Sequence, residues 1–273
     1  MPPKTLLTEN LIETVDRWDG SLLSPSAANK RIESVSVFRA EWFEKHFATA
    51  HAVMPVVWWA PVLLAALYAA AHDVHFSALS MSSTFVAGFL LWTLLEYVLH
   101  RFWMHLAPGA DFDSKLKAFM VHGYHHEFPN DRMRLVAPLI LSAPLALIVA
   151  LVYVLATGRY YGTVLFAGTV LGYLTYDWVH YYTHHFRPTT RLGKFLRRYH
   201  MEHHYKDSES HYGISSPLWD WVFGTATSKT TRVGVVVDAQ VLDAELVAAE
   251  SRADKRAERR ADKRLQKTDK HTA

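Results

Sequence analysis

The sequence predicts an all-α membrane protein of four transmembrane helices arranged as two hairpins. Four long apolar runs stand in an otherwise polar chain of 273 residues, and the outer connections within each pair of runs are short. Four histidine clusters fall at or beyond the opposite ends of those runs, so that all of them share one side of the membrane. These clusters set the expectation of a histidine-rich dimetal centre at that end.

Residues 1–34 are polar, with scattered Pro, Ser and Asn, and lack the charged start, apolar run and small-residue cleavage site of a secretion signal. They read as a loosely structured lead-in. Over residues 35–47, Val35, Phe38, Trp42 and His46 recur every three or four positions between charged residues, as in an amphipathic helix packed on protein or lying in the membrane interface. Met54–Ala71 is uncharged and long enough to cross a bilayer, with Pro55 at a helix start and Pro61 where a kink is expected. A link containing His72, Asp73 and His75 leads to a second run, 76–99, uncharged until Glu96. The third run, 135–156, carries Pro138 and Pro144, and the fourth, 161–179, is uncharged until Asp177. In the fourth, Gly168 and Gly172 have the spacing that lets membrane helices approach closely. Buried core helices of a soluble protein are the alternative, disfavoured by run length.

Positive charge follows the histidines. Arg101, Lys115, Lys117, Arg132 and Arg134 lie in the middle loop, against Arg159 alone at the outer connections. The positive-inside rule then makes the histidine face, and both termini with it, cytoplasmic. From about Asp238 the chain turns to Ala, Glu, Asp, Lys and Arg, and residues 252–256 recur as 260–264. That tail reads as a solvated helix or a disordered segment, with contact to anionic lipid as a minor reading. The expected organisation is a lead-in and interfacial helix over 1–53, a membrane domain over 54–228 and a charged tail over 229–273.

Half the residues are hydrophobic, which supplies ample core, and a net charge of +3 with no aromatic and basic alternation gives no reason to expect nucleic acid. The absence of cysteine excludes disulfides, iron–sulfur clusters, thiolate-ligated haem and cysteine nucleophiles. Any electrons the protein uses arrive from elsewhere.

Twelve of the 17 histidines lie between His100 and His211. On a helix, residues at i, i+3 and i+4 share a face, so His122, His125 and His126 can converge, as can His200, His203 and His204, and His180 with His184. His185 lies about 100° round from His184 and is the weaker candidate. His100 and His105, five apart, share no ideal face; they need a helix end between them or two different ions. The convergent positions number ten, too many for one metal and about right for two. For His51, His72, His75, His185 and His271 an ordinary interfacial or hydrogen-bonded role is the better reading, and His211 is undecided. Carboxylates are expected to take the outer ring N–H groups of the ligands. Glu96 and Asp177, in apolar surroundings, are the stronger candidates, and Asp131 and Glu202 the weaker ones, for which surface exposure serves equally well. All-imidazole sites suit Fe, Zn, Cu or Ni, and no cluster has the His-Glu-x-x-His pattern of zinc proteases.

The chain resembles the membrane-bound fatty acid hydroxylase superfamily, and is most similar to the fatty acid 2-hydroxylases of sphingolipid acyl chains. The resemblance is carried by Glu96-Tyr97-Val98-Leu99-His100-Arg101, by the run from His122 through Pro129, Asp131 and Arg134-Leu135-Val136 to Pro138, by Tyr176-Asp177 before His180 and His184, by His200 to His204, and by Gly213-Ile214-Ser215 leading to Leu218-Trp219-Asp220. It covers roughly residues 55–228. It implies a four-helix membrane enzyme with a cytosolic helical cap holding two metal ions. These are expected to be iron, with zinc possible in isolated protein. O2 and two electrons insert one oxygen at the carbon beside the acyl carboxyl. The implied ligands are His100, His105, His122, His125, His126, His180, His184, His200, His203 and His204. The implied partners are a lipid acyl substrate from the bilayer, a sphingolipid or free fatty acid, and an electron donor. Many members carry a cytochrome b5 domain with a His-Pro-Gly-Gly signature that this sequence does not contain. A separate donor is therefore implied, such as a cytochrome b5 or a ferredoxin with its reductase. Two alternatives are oxidation of a sterol or carotenoid by the same centre, and a membrane metal carrier. A carrier predicts ionisable residues near mid-membrane, whereas Glu96, His100, Asp177 and His180 all lie towards one end.

Overall fold

The computed structural model describes residues 3–24, 34–72 and 77–227. The expected tail, His75 and His271 lie outside the described residues. The described residues are helical, with one isolated antiparallel bridge among them, between Leu7 and Phe38.

The first segment differs from the expected loose lead-in. Helix α1, Glu9–Arg17, starts at Thr8, whose hydroxyl accepts the backbone N–H of Leu11. Leu7, Leu11 and Val15 recur at helical spacing and are fully buried against Leu116, Phe119, Tyr124 and Phe128. Each such side chain contributes about 1.5–3 kcal/mol by leaving water. That spacing was present in the sequence but masked by the polar residues around it. The amphipathic helix expected over 35–47 is shorter: α2 covers Glu41–Phe43 and runs into a π-turn, Glu44–Ala48. Residues before it are extended because the backbone N–H groups of Val37 and Phe38 both donate to Glu44, and Thr8 N–H donates to Val37.

Among the described residues three helices are long and apolar enough to cross a membrane, and their side chains are largely exposed, Leu79 by 80% and Leu155 by 76%. So large an apolar surface belongs in lipid. Helix α3 is Met54–Ala71, as the sequence predicts. Helix α4, Ala78–Val98, opens with a capping box between Ser77 and Ser80 and continues as a π-turn, Leu99–Met104. The loop between the spans holds α5, Phe112–Ala118, a second π-turn, Phe119–Gly123, and α6, Tyr124–Glu127.

Helix α7, Leu139–His185, reverses direction at Gly158, whose φ of 80° is open to glycine and strained for other residues. The arms 139–157 and 159–185 lie side by side. The Thr169 hydroxyl bonds the Tyr153 hydroxyl at 3.2 Å, and a Cβ on Gly162 would meet the Val154 backbone at 2.7 Å. Sixteen residues of unbroken helix would separate Tyr153 from Thr169 by about 24 Å. The third and fourth predicted runs are thus these two arms. Gly168 does what its spacing suggests, since a Cβ there would sit 2.0 Å from the Phe85 carbonyl of α4. Beyond the spans come α8, Arg191–Tyr205, and α9, Leu218–Phe223.

Candidate metal centre

The structure gathers the ten predicted histidines into two groups of five. His100, His105, His122, His126 and His203 form the first; His125, His180, His184, His200 and His204 form the second. Within each group one ring nitrogen per residue lies within 4.8 Å of all the others. Nine of the ten rings are buried, and His105 is half-buried.

Local backbone explains the sorting. His105 N–H donates to the His100 carbonyl at 3.2 Å, closing the π-turn at the end of α4. An i→i+5 bond brings residue i+5 above residue i, and the turn ends at Met104 with His105 as its cap, so the expected helix end between the two histidines puts both rings in one group. His122 and His126, four apart, serve the first group, while His125 between them points to the second. Helix α8 repeats the pattern in reverse: His200 and His204 serve the second group and His203 the first. Each triplet expected to converge is therefore split, because one member lies about 100° round the helix from its neighbour.

Ring nitrogens within a group face each other closely. In the first, Nε2 of His122 lies 3.0 Å from Nε2 of His100 and of His126. In the second, the corresponding separations are 3.1 Å for His180–His125, 3.0 Å for His125–His204, 3.1 Å for His204–His200 and 2.8 Å for His184–His200. Two nitrogens each about 2.1 Å from one ion and at right angles to it are about 3.0 Å apart, against about 3.4 Å at a tetrahedral angle. Two outer nitrogens of the first group are tied down independently, while Nδ1 of His126, His180 and His200 has no hydrogen-bond partner. His100 Nδ1–H donates to the Tyr212 carbonyl at 2.6 Å, and His203 Nδ1–H donates to the Ser210 carbonyl at 2.7 Å. In a neutral ring the proton is then on Nδ1, and Nε2 carries a bare lone pair. Nε2 of His203 is buried with no hydrogen-bond partner, as is Nε2 of His105. A lone pair so placed suits a cation, and the residues fit a metal in both groups.

Burial first, then mutual repulsion, holds His105, His122, His125, His126, His200 and His204 well below the usual histidine range; His203 is lowered as well, against the raising effect of its bond to Ser210. These rings stay neutral near pH 7, as ligation requires.

None of the four expected carboxylates bonds a ring of either group. Glu96 accepts the backbone N–H groups of Ile214, at 2.6 Å, and Ser215, at 2.8 Å, together with the Ser215 hydroxyl. It therefore anchors the loop whose Tyr212 carbonyl orients His100. Asp131 pairs with Arg134 and accepts Met133 N–H at 2.9 Å. Glu202 lies 3.5 Å from His211, outside both groups. Asp177 is buried with Oδ2 unpartnered, facing no ligand ring within hydrogen-bond reach. Main-chain carbonyls do the work expected of carboxylates, because the loop 210–216 runs close under the rings. His185 belongs to neither group, and His211, bonded to the Ser210 hydroxyl at 2.6 Å, is a neighbour of the site. His51 and His72 are exposed and bonded locally.

Two further features escaped the sequence reading. Asp220 is fully buried and accepts from Tyr212 N–H, Gly213 N–H and the Thr225 hydroxyl at 2.7–2.9 Å, fixing the same loop from its other side. A cavity of about 710 Å³ is lined by His100, His122, His125 and His180. Its other walls come from the apolar helices, through Trp59, Leu95, Leu145 and Val170, and from segments outside them, through Leu7, Phe38 and Leu116.

Comparison with known proteins agrees with this architecture. The fatty acid hydroxylase family model matches residues 85–225. The chain is 35% identical over 201 residues to a dihydroceramide fatty acyl 2-hydroxylase of Arabidopsis thaliana, covering 73% of this chain and 84% of that one. It is 38% identical over 176 residues to the ceramide very long chain fatty acid hydroxylase scs7 of Schizosaccharomyces pombe, covering 63% of this chain and half of the relative. The solved structure of full-length scs7p, with only its hydroxylase domain visible, superposes with a TM-score of 0.67 at 26% identity over 82% of this chain and 93% of that one. Sequence, fold and histidine arrangement lead to one conclusion: the chain belongs to the fatty acid hydroxylase family.

Proposed function

We propose that this membrane protein is an O2-dependent hydroxylase that inserts one oxygen at C2 of a fatty acyl chain, carried by a sphingolipid or a free fatty acid. The observation that carries the reading is the cavity. Its volume of about 710 Å³ falls within the range of small-molecule sites, and its mostly apolar lining includes four imidazoles of the two groups. An acyl tail lying among α3, α4 and α7 would bring its first carbons to His100, His122, His125 and His180.

In this reading the ten histidines are the ligands, five to each of two ions, expected to be iron. Bound there, the ions supply O2 activation and the oxidising power that an unactivated C–H bond demands. The chain's own residues do the rest. Tyr212 and Ser210 carbonyls hold the protons of His100 and His203 on Nδ1, so that Nε2 faces inward. Glu96 and Asp220 hold that loop against the rings. The apolar walls exclude water from the reacting carbon and fix the tail, which determines the carbon presented.

The arms of α7 complete four crossings in two hairpins, and residues 54–228 form the catalytic body, with α8 and α9 in a cytoplasmic cap. The charged tail 229–273 lies outside the described residues. Electrons come from a separate protein such as a cytochrome b5 or a ferredoxin with its reductase. The test is a lipid profile of cells expressing the chain or its His125→Ala variant. Acyl chains heavier by one oxygen, located by fragmentation beside the carboxyl and absent in the variant, are expected. An unchanged profile from a well-expressed, metal-loaded chain supplied with reductant would refute the assignment.

A further inference from the structure

Ser24 ends the first described segment and stands 180 residues before His204, yet the two meet. Its Oγ lies 2.8 Å from Nδ1 of His204, and its backbone N–H donates to the His204 carbonyl at 2.7 Å. Both residues are buried, Ser24 to 7% exposure and His204 completely. The other nitrogen of that ring, Nε2, turns inward to within 3.0 Å of His125 and 3.1 Å of His200. An inward Nε2 that offers its lone pair leaves the proton on Nδ1, which then donates to the Ser24 hydroxyl.

We propose that Ser24 is a positioning residue of the second histidine group. It selects the Nδ1–H tautomer of His204 and fixes the ring plane, so that Nε2 is presented to the ion. An imidazole turns about a broad, roughly two-fold torsion, and a bond to the outer nitrogen is what removes that freedom. Two contacts of the same residue divide the labour: the backbone bond ties the segment to α8, and the hydroxyl orients the ring. The segment itself is firmly seated. Trp18 packs edge-on against Phe119 at 5.3 Å, its indole N–H donates to the Ser21 carbonyl at 2.9 Å, and a Cβ on Gly123 would strike it at 2.9 Å. Ser24 therefore reaches His204 from a rigid base.

The inference rests on the metal-centre reading, and its test separates the two. Full-length wild type, Ser24→Ala, Ser24→Thr and Thr8→Ala are loaded with iron, dialysed against a chelator and assayed for bound metal and unfolding temperature. Thr8→Ala removes the α1 cap from the same segment without touching a ring. Wild type is expected to hold two ions. Ser24→Ala should release one of them with affinity lowered about tenfold, the low end of the effect of losing a partner that orients a ligand. Ser24→Thr, which keeps the hydroxyl, and Thr8→Ala should retain both. Equal retention in Ser24→Ala and wild type overturns the proposal. So does joint loss of both ions with a fall in unfolding temperature, the result of a merely structural role. A wild type that takes up no iron at all refutes the metal-centre reading itself, and the assignment of Ser24 with it.

Discussion

In the first histidine group the outer nitrogens of His100 and His203 end on main-chain carbonyls of one loop, whereas in the second the outer nitrogen of His204 ends on a side chain, Ser24. A carbonyl cannot be substituted away. The first group is therefore reached indirectly, through the residues that hold its loop, while the second is open to a single change of side chain. Two sites of like composition thus depend on different parts of the chain.

The largest effect should come from removing one ring from each group. His203→Ala and His125→Ala are expected to abolish turnover while leaving the helices inserted, and metal analysis should find one ion lost in each. Full activity in both variants would break the division into two groups. Glu96→Gln should follow. It replaces an acceptor of three hydrogen bonds by an amide, loosening the loop under His100. Metal affinity of the first group should drop about 10–100-fold, with the second group unchanged. Equal loss from both would show that the loop serves the whole centre.

Acidification tests what the groups share. Seven of the ten grouped histidines lie outside the spans, and their folded-state pKa values are below those of the unfolded chain. Below about pH 6.5 the unfolded state binds more protons, so stability present above that pH is lost as pH falls towards the folded-state values. Metal-free protein should therefore lose stability as pH falls from 7.5 to 5.5, read as a falling unfolding temperature. His203→Ala and His125→Ala should flatten the dependence equally. The smallest effect belongs to Gly158→Ala, at the far reversal of α7. The site has space for a methyl group but a φ of 80°, so a cost of about 1–2 kcal/mol is expected with both groups fully loaded.

Much of this arrangement was legible in the chain. Leu79, Leu155 and their neighbours marked the spans, and the ten ligand candidates were visible as clusters because i, i+3 and i+4 repeats survive translation into any helix. Allocation was not legible. His125 and His203 leave their own clusters for the opposite group, which depends on how α6 and α8 are rotated against each other. The carboxylate expectation failed for a related reason. Spacing places Glu96 one turn before His100, yet its oxygens are claimed by Ile214 and Ser215, more than a hundred positions away. Ser24 carried no local signal at all. Leu7, Leu11 and Val15 did carry one, and it marked the segment that delivers Ser24.

The π-turn between His100 and His105 has a consequence for how this chain tolerates change. Phe102 within it is 58% exposed, so its identity is only loosely constrained by packing. The number of residues in the turn is another matter. Inserting one would carry the second ring off the face that His100 presents, whereas deleting one would leave the pair four apart on ordinary helical winding, the spacing at which His122 and His126 already serve one group. Here the chain is strict about added length and lenient about letters. Single-residue insertions across 99–104 should accordingly be depleted far more severely than single-residue deletions there or substitutions at Phe102.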